Sequence, residues 1–248
     1  MHHIQSRTGG RFENQDFYNF AKTKFGELFV VCDGMGGHKG GRHAAEKAVK
    51  TIINEVVKCI DENPVNALKT AIEKANATIW KEGKSNLLYL GMGTTVSALL
   101  IAPQKAVCCH VGDSRIYQLR NGKILHRTYD HSYVFDLVYA GRITEEQARV
   151  SVQSNIITRA LGLKSNVEID ITDNLLYQKG DRFLLCTDGI WGAVSEKELV
   201  KMASQNSDVE TAVNQLVEKI DSIGFENEGR HDNLTAAMIE MESDSGLQ

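Results

Sequence analysis

The sequence predicts a single domain of the mixed α+β class, in which antiparallel strands pack with helices. Helix-like and strand-like segments come in blocks and do not alternate strictly, which favours antiparallel sheets over a parallel βαβ arrangement. The 248 residues are 42% hydrophobic and 24% charged, as expected for a domain with one full core. No repeat, low-complexity tract or proline-rich linker marks a domain boundary, since the chain has only two prolines.

Amphipathic periodicity predicts the long helices. The first apolar strand, LFVVC at 28–32, is followed by two segments with apolar residues at helical spacing, 43–60 and 65–79. A last helix is predicted at 208–223, and Gly224 is expected to end it.

Capping patterns predict shorter helices in the second half of the chain. Thr-x-x-Gln at 144–147 and Ser-x-x-Glu at 195–198 resemble capping boxes. The polar triplet at 130–132 is expected to cap a further helix, with His131 as a metal ligand only in a less favoured interpretation.

Short β-rich runs predict the strands. From Thr94 to His126 they are read as an antiparallel meander, with the Asn121-Gly122 pair as a hairpin turn. Gly93 is expected to allow a close approach where this meander begins. The other strand-like runs are VEIDI (167–171), RFLLCTD (182–188) and NLTAAMIEM (233–241).

Charge and cysteine content exclude several functions. The net charge of −4 offers no basic face for nucleic acid. No apolar run is long enough to span a membrane, and the N-terminal MHHIQSRTGG lacks the apolar part of a secretory signal, so a cytoplasmic protein is expected. The five cysteines lie mostly in apolar runs without C-x-x-C spacing, as reduced core residues do.

Four aspartates adjoin strand-like runs at turns: Asp33, Asp113, Asp188 and Asp232. Strand ends at one edge of a sheet can converge, and clustered carboxylates repel each other unless a cation neutralises them. An all-oxygen set of this kind suits Mg²⁺ or Mn²⁺. Each aspartate taken singly is better explained as turn chemistry, because Asp caps its own backbone, but that explanation weakens for all four together.

A family resemblance rests on an ordered series of motifs. The sequence resembles the metal-dependent protein phosphatases of type 2C, in their bacterial serine/threonine branch, from Arg11 to about Glu240. The motifs, in order, are RFENQD, DGMGGH, GTT, VGDSR, DHS, TRALG, GDRFLLCTDG and HDNLT.

This resemblance implies a four-layer α-β-β-α sandwich of two antiparallel sheets flanked by helix pairs. It implies one phosphatase domain over 1–248, with a core at about 4–241 and a short polar tail at 242–248. The implied activity is hydrolysis of phosphoserine and phosphothreonine in proteins, which would oppose serine/threonine kinases. Phosphorylated proteins would be its partners, and the chain is expected to act as a monomer.

The resemblance also implies a centre of two Mn²⁺ or Mg²⁺ ions, with a third, more weakly held ion. Asp33 corresponds to the ligand shared by both ions, and the backbone carbonyl of Gly34 completes one of them. Asp188 and Asp232 correspond to the other carboxylates of the first ion, and Asp113 corresponds to a ligand of the third.

Other residues of the same motifs have implied roles in catalysis. Arg11 corresponds to the arginine that grips the substrate phosphate, and Asp16 to an acid that acts on metal-bound water. Gln15 stands where the family often has glutamate, which predicts weaker binding of the second ion. Met35 follows the Asp-Gly pair where animal members have histidine, so His38 is a candidate general acid or a simple loop residue.

Rival functions are open at this stage. Cys109 to Arg115 fits the C-x₅-R pattern of cysteine-dependent phosphatases, but a strand follows where that chemistry needs a helix N-terminus. The glycines of 34–41 fail the spacing of a nucleotide-binding loop. A pseudophosphatase and a phosphatase for one regulator, such as an anti-sigma-factor antagonist, are further alternatives. In the family, 136–155 forms a flap beside the site that would discriminate between substrates.

Overall fold

The computed structural model describes residues 1–36, 40–103, 105–205 and 208–245. Within these ranges the chain forms two sheets, helices α1 to α7, and a single 3₁₀ turn after α2. The strands are β1 (His2–Arg7), β2 (Asp16–Thr23), β3 (Gly26–Met35), β4 (Gly93–Thr94), β5 (Val96–Ile101), β6 (Ala106–Val111), β7 (Arg115–Arg120), β8 (Lys123–Arg127), β9 (Asp170–Leu175), β10 (Arg182–Cys186) and β11 (Leu234–Glu240). The helices are α1 (Gly40–Lys58), α2 (Pro64–Ser85), α3 (Tyr133–Tyr139), α4 (Glu145–Arg149), α5 (Asp188–Trp191), α6 (Glu196–Ser204) and α7 (Val209–Glu226).

Both sheets are antiparallel. One sheet has the order β1-β11-β10-β7-β8, and the other has the order β2-β3-β5-β6-β9, with β4 paired to β3. Side chains alternate along β3: Leu28, Val30 and Cys32 pack against α1 and α2, whereas Phe29 and Val31 face the other sheet. This alternation is that of a strand buried on both faces.

The core therefore lies in three layers of side chains. One fills the space between α1, α2 and the second sheet, one lies between the two sheets, and one lies between the first sheet and the later helices. The predicted four-layer sandwich is confirmed. The two capping boxes also mark helix starts as predicted: Thr144 and Gln147 make both reciprocal bonds at α4, and Ser195 caps α6. Ser132 caps α3.

The predicted meander is wrong in one respect, because its strands belong to different sheets. β5 and β6 pair in the second sheet, whereas β7 and β8 pair in the first. The chain crosses between sheets at 112–114, where Gly112 has a φ of 109°. A side chain is strained at that angle, so glycine makes the crossing compatible with the fold.

No strand was predicted from the sequence at His2 and His3, near the N-terminus, but the structure has one there. Both residues belong to β1, which pairs along its whole length with β11. Short polar sequences such as HHIQSR carry little strand signal, so the pairing partner decides the structure. The strand expected at 167–171 begins later, at Asp170, and Ile60 lies beyond α1 and is exposed.

Gly224 does not end the last helix, which continues to Glu226. A Cβ atom at this position would lie 2.1 Å from Cγ of the His231 ring. The glycine thus serves a close contact between α7 and the segment before β11.

Replacing Gly224 with alanine should destabilise the protein, although alanine is the better helix former. The added methyl group forces the His231 ring out of its place, at a cost of about 1–3 kcal/mol. Thermal unfolding measures this directly. Ser222→Ala, at an exposed position of the same helical turn, should leave the melting temperature nearly unchanged, and equal effects of the two substitutions would contradict the packing argument.

No helix within the described ranges is both long and apolar enough to cross a bilayer. In the segment predicted to be a polar tail, the Asp244 carboxylate accepts a hydrogen bond from the Lys179 amide at 2.7 Å. The Ser245 amide donates to the Tyr177 carbonyl at 2.8 Å, so these two residues lie against the fold.

Candidate active site

A pocket of about 450 Å³ lies where strand ends from both sheets meet. Its lining includes all four aspartates that the sequence singled out at turns. The lining residues are Arg11, Phe12, Glu13, Gln15, Asp33, Gly34, Met35, Asp113, Asn155, Ile157, Asp188, Asp232 and Asn233. The predicted convergence of carboxylates is thus present in the fold.

The topology explains why residues so distant in sequence meet here. Asp33 lies near the end of β3, and Asp16 at the start of β2 is its register partner. Asp113 lies in the crossing between the sheets, and Asp188 is the first residue of α5, two residues after the end of β10. Asp232 precedes β11 by two residues.

The backbone of Asp33 is fixed from both sides. Its amide donates to the Thr95 hydroxyl at 2.9 Å, and its carbonyl accepts from the Thr94 hydroxyl at 2.8 Å. The Thr95 hydroxyl is also 2.7 Å from that of Ser114, the residue after Asp113. The pair of threonines therefore ties the Asp33 strand to the crossing that carries Asp113.

Asp16 is buried beside the pocket, with 2% of its surface exposed. Its Oδ2 accepts a hydrogen bond from the Thr187 hydroxyl at 2.9 Å, whereas its buried Oδ1 has no partner. Burial raises the pKa of Asp16 to about 7, and the charges of Asp188 and Asp232 add to the increase.

The neighbouring carboxylates repel one another in the same way. Burial, followed by the charge of Asp16 and then of Asp188, raises the pKa of Asp33 well above its ordinary value. Burial and the charge of Asp188 raise that of Asp113. The pKa of Asp188 itself is raised to about 6 by burial and by Asp232. This cluster holds more negative charge than its protein surroundings compensate.

The donor set fits a divalent cation. Asp113 and Asp188, like Asp16, each have a buried carboxylate oxygen without a hydrogen-bond partner in the part of the chain that the structure describes. Among the described residues, no group of three or more His, Cys, Asp or Glu side chains is close enough together to hold a metal ion by itself. Mg²⁺ and Mn²⁺ take oxygen ligands and Mg²⁺ usually keeps several waters, so such a site does not have to be closed by protein side chains alone.

Arg11 is half exposed and its Nη2 donates to Oδ2 of Asp232 at 2.7 Å. Asn233 holds the loop that carries Arg11: its Oδ1 accepts from the Gln15 amide, and its Nδ2 donates to the carbonyls of Thr8 and Glu13. This role of Asn233 was not predicted from the sequence. The sequence signal for this role was the asparagine directly after Asp232, because a buried side-chain amide can both donate and accept hydrogen bonds and so hold several backbone groups of a loop.

The protein phosphatase 2C family model matches residues 5–221, which is most of the chain. The chain belongs to this family. The serine/threonine phosphatase stp of Listeria monocytogenes is 32% identical over 244 residues, a match that covers 97% of this chain and 91% of the relative. Asp232 lies beyond the family-model match but within the range of such full-length similarity.

Two solved structures of the phosphatase 2C type have the same fold. Stp1 from Staphylococcus aureus superposes with a TM-score of 0.86 at 29% identity, covering 98% of this chain and 95% of that one. The catalytic domain of PstP in complex with two manganese ions has a TM-score of 0.81 at 28% identity, with 97% of each chain covered. Metal dependence is thus a property of the family.

The cysteine-dependent alternative is wrong for this phosphatase 2C chain. Cys109 is buried on β6, and burial raises the pKa of its thiol, which disfavours the nucleophilic thiolate. Arg115 lies on β7 in the other sheet, where its guanidinium makes two hydrogen bonds to buried Asp130. The two residues do not form a phosphate cradle.

Two histidines of the family motifs were candidates for a role in the site, and the structure describes only one of them. His131 accepts a hydrogen bond from the Gly112 amide through Nδ1, at 3.0 Å, and its Nε2 lies 3.1 Å from Asp170, so it is a structural residue outside the pocket lining. His38, the candidate general acid, lies outside the described residues. The expected flap at 136–155 contains the end of α3 and all of α4, and its last residue, Asn155, lines the pocket.

Proposed function

We propose that this phosphatase 2C chain hydrolyses phosphoserine and phosphothreonine in proteins by direct attack of an activated water, without a phosphoenzyme intermediate. The observation that carries the proposal is the convergence of four aspartates and one arginine at a single pocket. A cluster of anions next to a guanidinium suits a site that holds cations and, through them, a phosphate ester.

Within this proposal the carboxylates hold two Mn²⁺ or Mg²⁺ ions, with a third held more weakly. The charges of Asp16, Asp188 and Asp113 all act on the Asp33 carboxylate, which serves as the shared ligand. The Gly34 carbonyl, Asp188 and Asp232 complete the pair, and Asp113 supports the third ion. When bound, the ions supply the Lewis acidity that makes water a nucleophile near neutral pH.

The protein residues supply orientation and proton transfer. Oδ1 of Asp16, which has no hydrogen-bond partner among the described residues, can accept a proton from water, because Oδ2 is already fixed by Thr187. Arg11 offers a planar pair of donors to two phosphate oxygens, which a lysine cannot match. Its half-exposed position at the pocket leaves the guanidinium accessible to a protein substrate.

We further propose that the chain acts in the cytoplasm as one domain and as a monomer, with its core at about 4–241 and a short tail after it. All the pocket carboxylates come from this one chain, so no second subunit is needed to complete the site. Their retention also argues against a pseudophosphatase, which would be expected to lack one or more of them.

The proposed function is tested with a phosphothreonine peptide and purified protein. We expect phosphate release with Mn²⁺ or Mg²⁺, none with excess chelator, and full activity in Cys109→Ser. Activity that survives chelation but disappears in Cys109→Ser would overturn the assignment. Absence of turnover at saturating Mn²⁺ would instead support the pseudophosphatase alternative.

Restoring a carboxylate at Gln15 should strengthen binding of the second ion. The Gln15 side chain lines the pocket as a neutral amide, so Gln15→Glu adds a negative charge next to the cations. We expect the Mn²⁺ affinity to rise about tenfold, in line with the effect of groups around a metal site. Calorimetric titration measures it, and Gln5→Glu on β1, outside the pocket lining, is the control. An unchanged affinity would contradict this role.

A further inference from the structure

The indole of Trp191 connects two of the pocket aspartates. Trp191 is the last residue of α5, whose first residue is Asp188. Its Nε1 donates a hydrogen bond of 2.8 Å to the backbone carbonyl of Asp113, and both residues are buried. A single turn of helix therefore carries one pocket carboxylate at its start and holds the backbone of another from its end.

The indole itself is clamped. The guanidinium of Arg115 stacks on its ring, with Cζ 3.6 Å from the ring centroid, and Phe135 meets the ring edge-on at 6.0 Å. Arg115 is fixed in turn by hydrogen bonds of 2.8 and 2.7 Å to Asp130, and by one of 2.9 Å to the Tyr117 hydroxyl. If the indole turned away from Asp113, it would lose its stacking contact with this fixed guanidinium.

Other contacts of the crossing at 112–114 come from different parts of the fold. Ser97 donates to the Ser114 carbonyl at 2.8 Å, and Gly112 exchanges hydrogen bonds with His131. Neither Ser97 nor His131 belongs to the segment that carries Asp188. The bond from Trp191 is thus the direct connection, among these, between the two aspartate-bearing segments.

We propose that Trp191 is a positioning residue that fixes Asp113 relative to Asp188 and thereby sets the affinity of the pocket for the third, more weakly held cation that Asp113 supports. The inference rests on the proposed metal-dependent function. Groups that orient metal ligands typically change metal affinity or activity by about 10–100-fold when they are removed. Trp191 acts through the Asp113 backbone and does not need to touch substrate.

The test is Trp191→Phe, which keeps an aromatic ring for Arg115 and removes the N–H donor. The matched control is Trp80→Phe, the same change at the other tryptophan, which is half-buried on α2. Free Mn²⁺ is followed by electron paramagnetic resonance during titration, which reports binding without turnover. We expect about tenfold weaker Mn²⁺ binding in Trp191→Phe and wild-type binding in Trp80→Phe.

Kinetics separate positioning from a general loss of structure. In Trp191→Phe the Mn²⁺ concentration for half-maximal activity should rise about tenfold, while KM for the phosphopeptide at saturating Mn²⁺ stays unchanged. In an Asp113→Asn background the same substitution should add no further loss of Mn²⁺ affinity. Equal Mn²⁺ affinity of Trp191→Phe and Trp80→Phe, or a full additive loss in that background, would overturn the inference.

A second variant covers poor folding of Trp191→Phe. Benzothienylalanine, which has the shape of tryptophan but no N–H, can be incorporated in the Trp80→Phe protein so that only position 191 is replaced. The same loss of Mn²⁺ affinity is expected, and its absence refutes the role of the hydrogen bond. If the wild-type protein hydrolyses the phosphopeptide but the variants at position 191 bind Mn²⁺ as tightly as Trp80→Phe does, this inference alone is refuted. If the wild-type protein shows neither metal binding nor turnover, the proposed function is refuted as well.

Discussion

Asp33→Asn should reduce metal-dependent turnover by about a thousandfold or more, which corresponds to roughly 4 kcal/mol of lost transition-state stabilisation. The substitution keeps the shape of the side chain and the fixed backbone, because the bonds of Asp33 to Thr94 and Thr95 are made by its main chain. Only the charge that both cations would share is removed. Phosphopeptide hydrolysis at saturating Mn²⁺ measures the effect.

The same variant should be more stable than the wild type when metal is chelated. The Asp33 carboxylate is repelled by Asp16, Asp188, Asp113 and Asp232, and a neutral amide relieves that repulsion. We expect the melting temperature in chelator to rise by several degrees, since 1 kcal/mol corresponds to about 2–4 °C for a chain of this size. Lower turnover together with a higher melting temperature in chelator is expected of a residue that binds the cations at the expense of stability.

Asp173→Asn is the matched control, because Asp173 is exposed on β9 and does not line the pocket. It should leave both turnover and melting temperature nearly unchanged. Near-normal turnover in Asp33→Asn would refute the shared-ligand role. Loss of turnover with a lowered melting temperature in chelator would indicate a folding defect instead.

The sequence was sufficient to predict the architecture where local pattern and burial agree. The two-sided apolar run around Phe29 and the helical stripes of α1 and α2 are recognisable without the fold. It failed where a distant partner decides the structure. β1 becomes a strand because β11 pairs with it, and Gly224 is set by the His231 ring, seven residues further along the chain.

The site, too, has residues that could be predicted from the sequence and residues that could not. The aspartates at turns were visible as residues, but only the topology brings Asp16 and Asp33 into register and places Asp188 beside Asp113. Asn233 and Trp191 were not singled out, because their importance lies in hydrogen bonds to the backbone of other segments. Sequence patterns report such bonds poorly, since the acceptor is a carbonyl that every residue has.

The stability of the metal-free protein should depend on pH in the direction opposite to ordinary acid denaturation. Asp16 and Asp188 have folded pKa values of about 7 and about 6, above their ordinary value of 3.8. Between the ordinary pKa of 3.8 and these raised values, the folded state binds more protons than the unfolded state, so the free energy of unfolding falls as pH rises through this range. For Asp188 alone the loss is at most about 3 kcal/mol.

Buried histidines oppose this trend at lower pH. Burial lowers the pKa of His110 to about 3, so this side chain favours the folded state increasingly as pH rises towards 6.5. Comparing each pH with and without metal removes the histidine contribution, because His110 does not line the pocket. The difference in melting temperature therefore reports the carboxylate cluster.

We expect Mn²⁺ to raise the melting temperature strongly at pH 7.5 and only slightly at pH 5, because protons compete with the cation for the same carboxylates. At a hundredfold excess over its dissociation constant a ligand adds about 2.7 kcal/mol, or about 5–10 °C here. Differential scanning fluorimetry with Mn²⁺ and with chelator measures both values. An equal gain at both pH values would contradict a cation site built from these aspartates, since their protonation would then not affect binding.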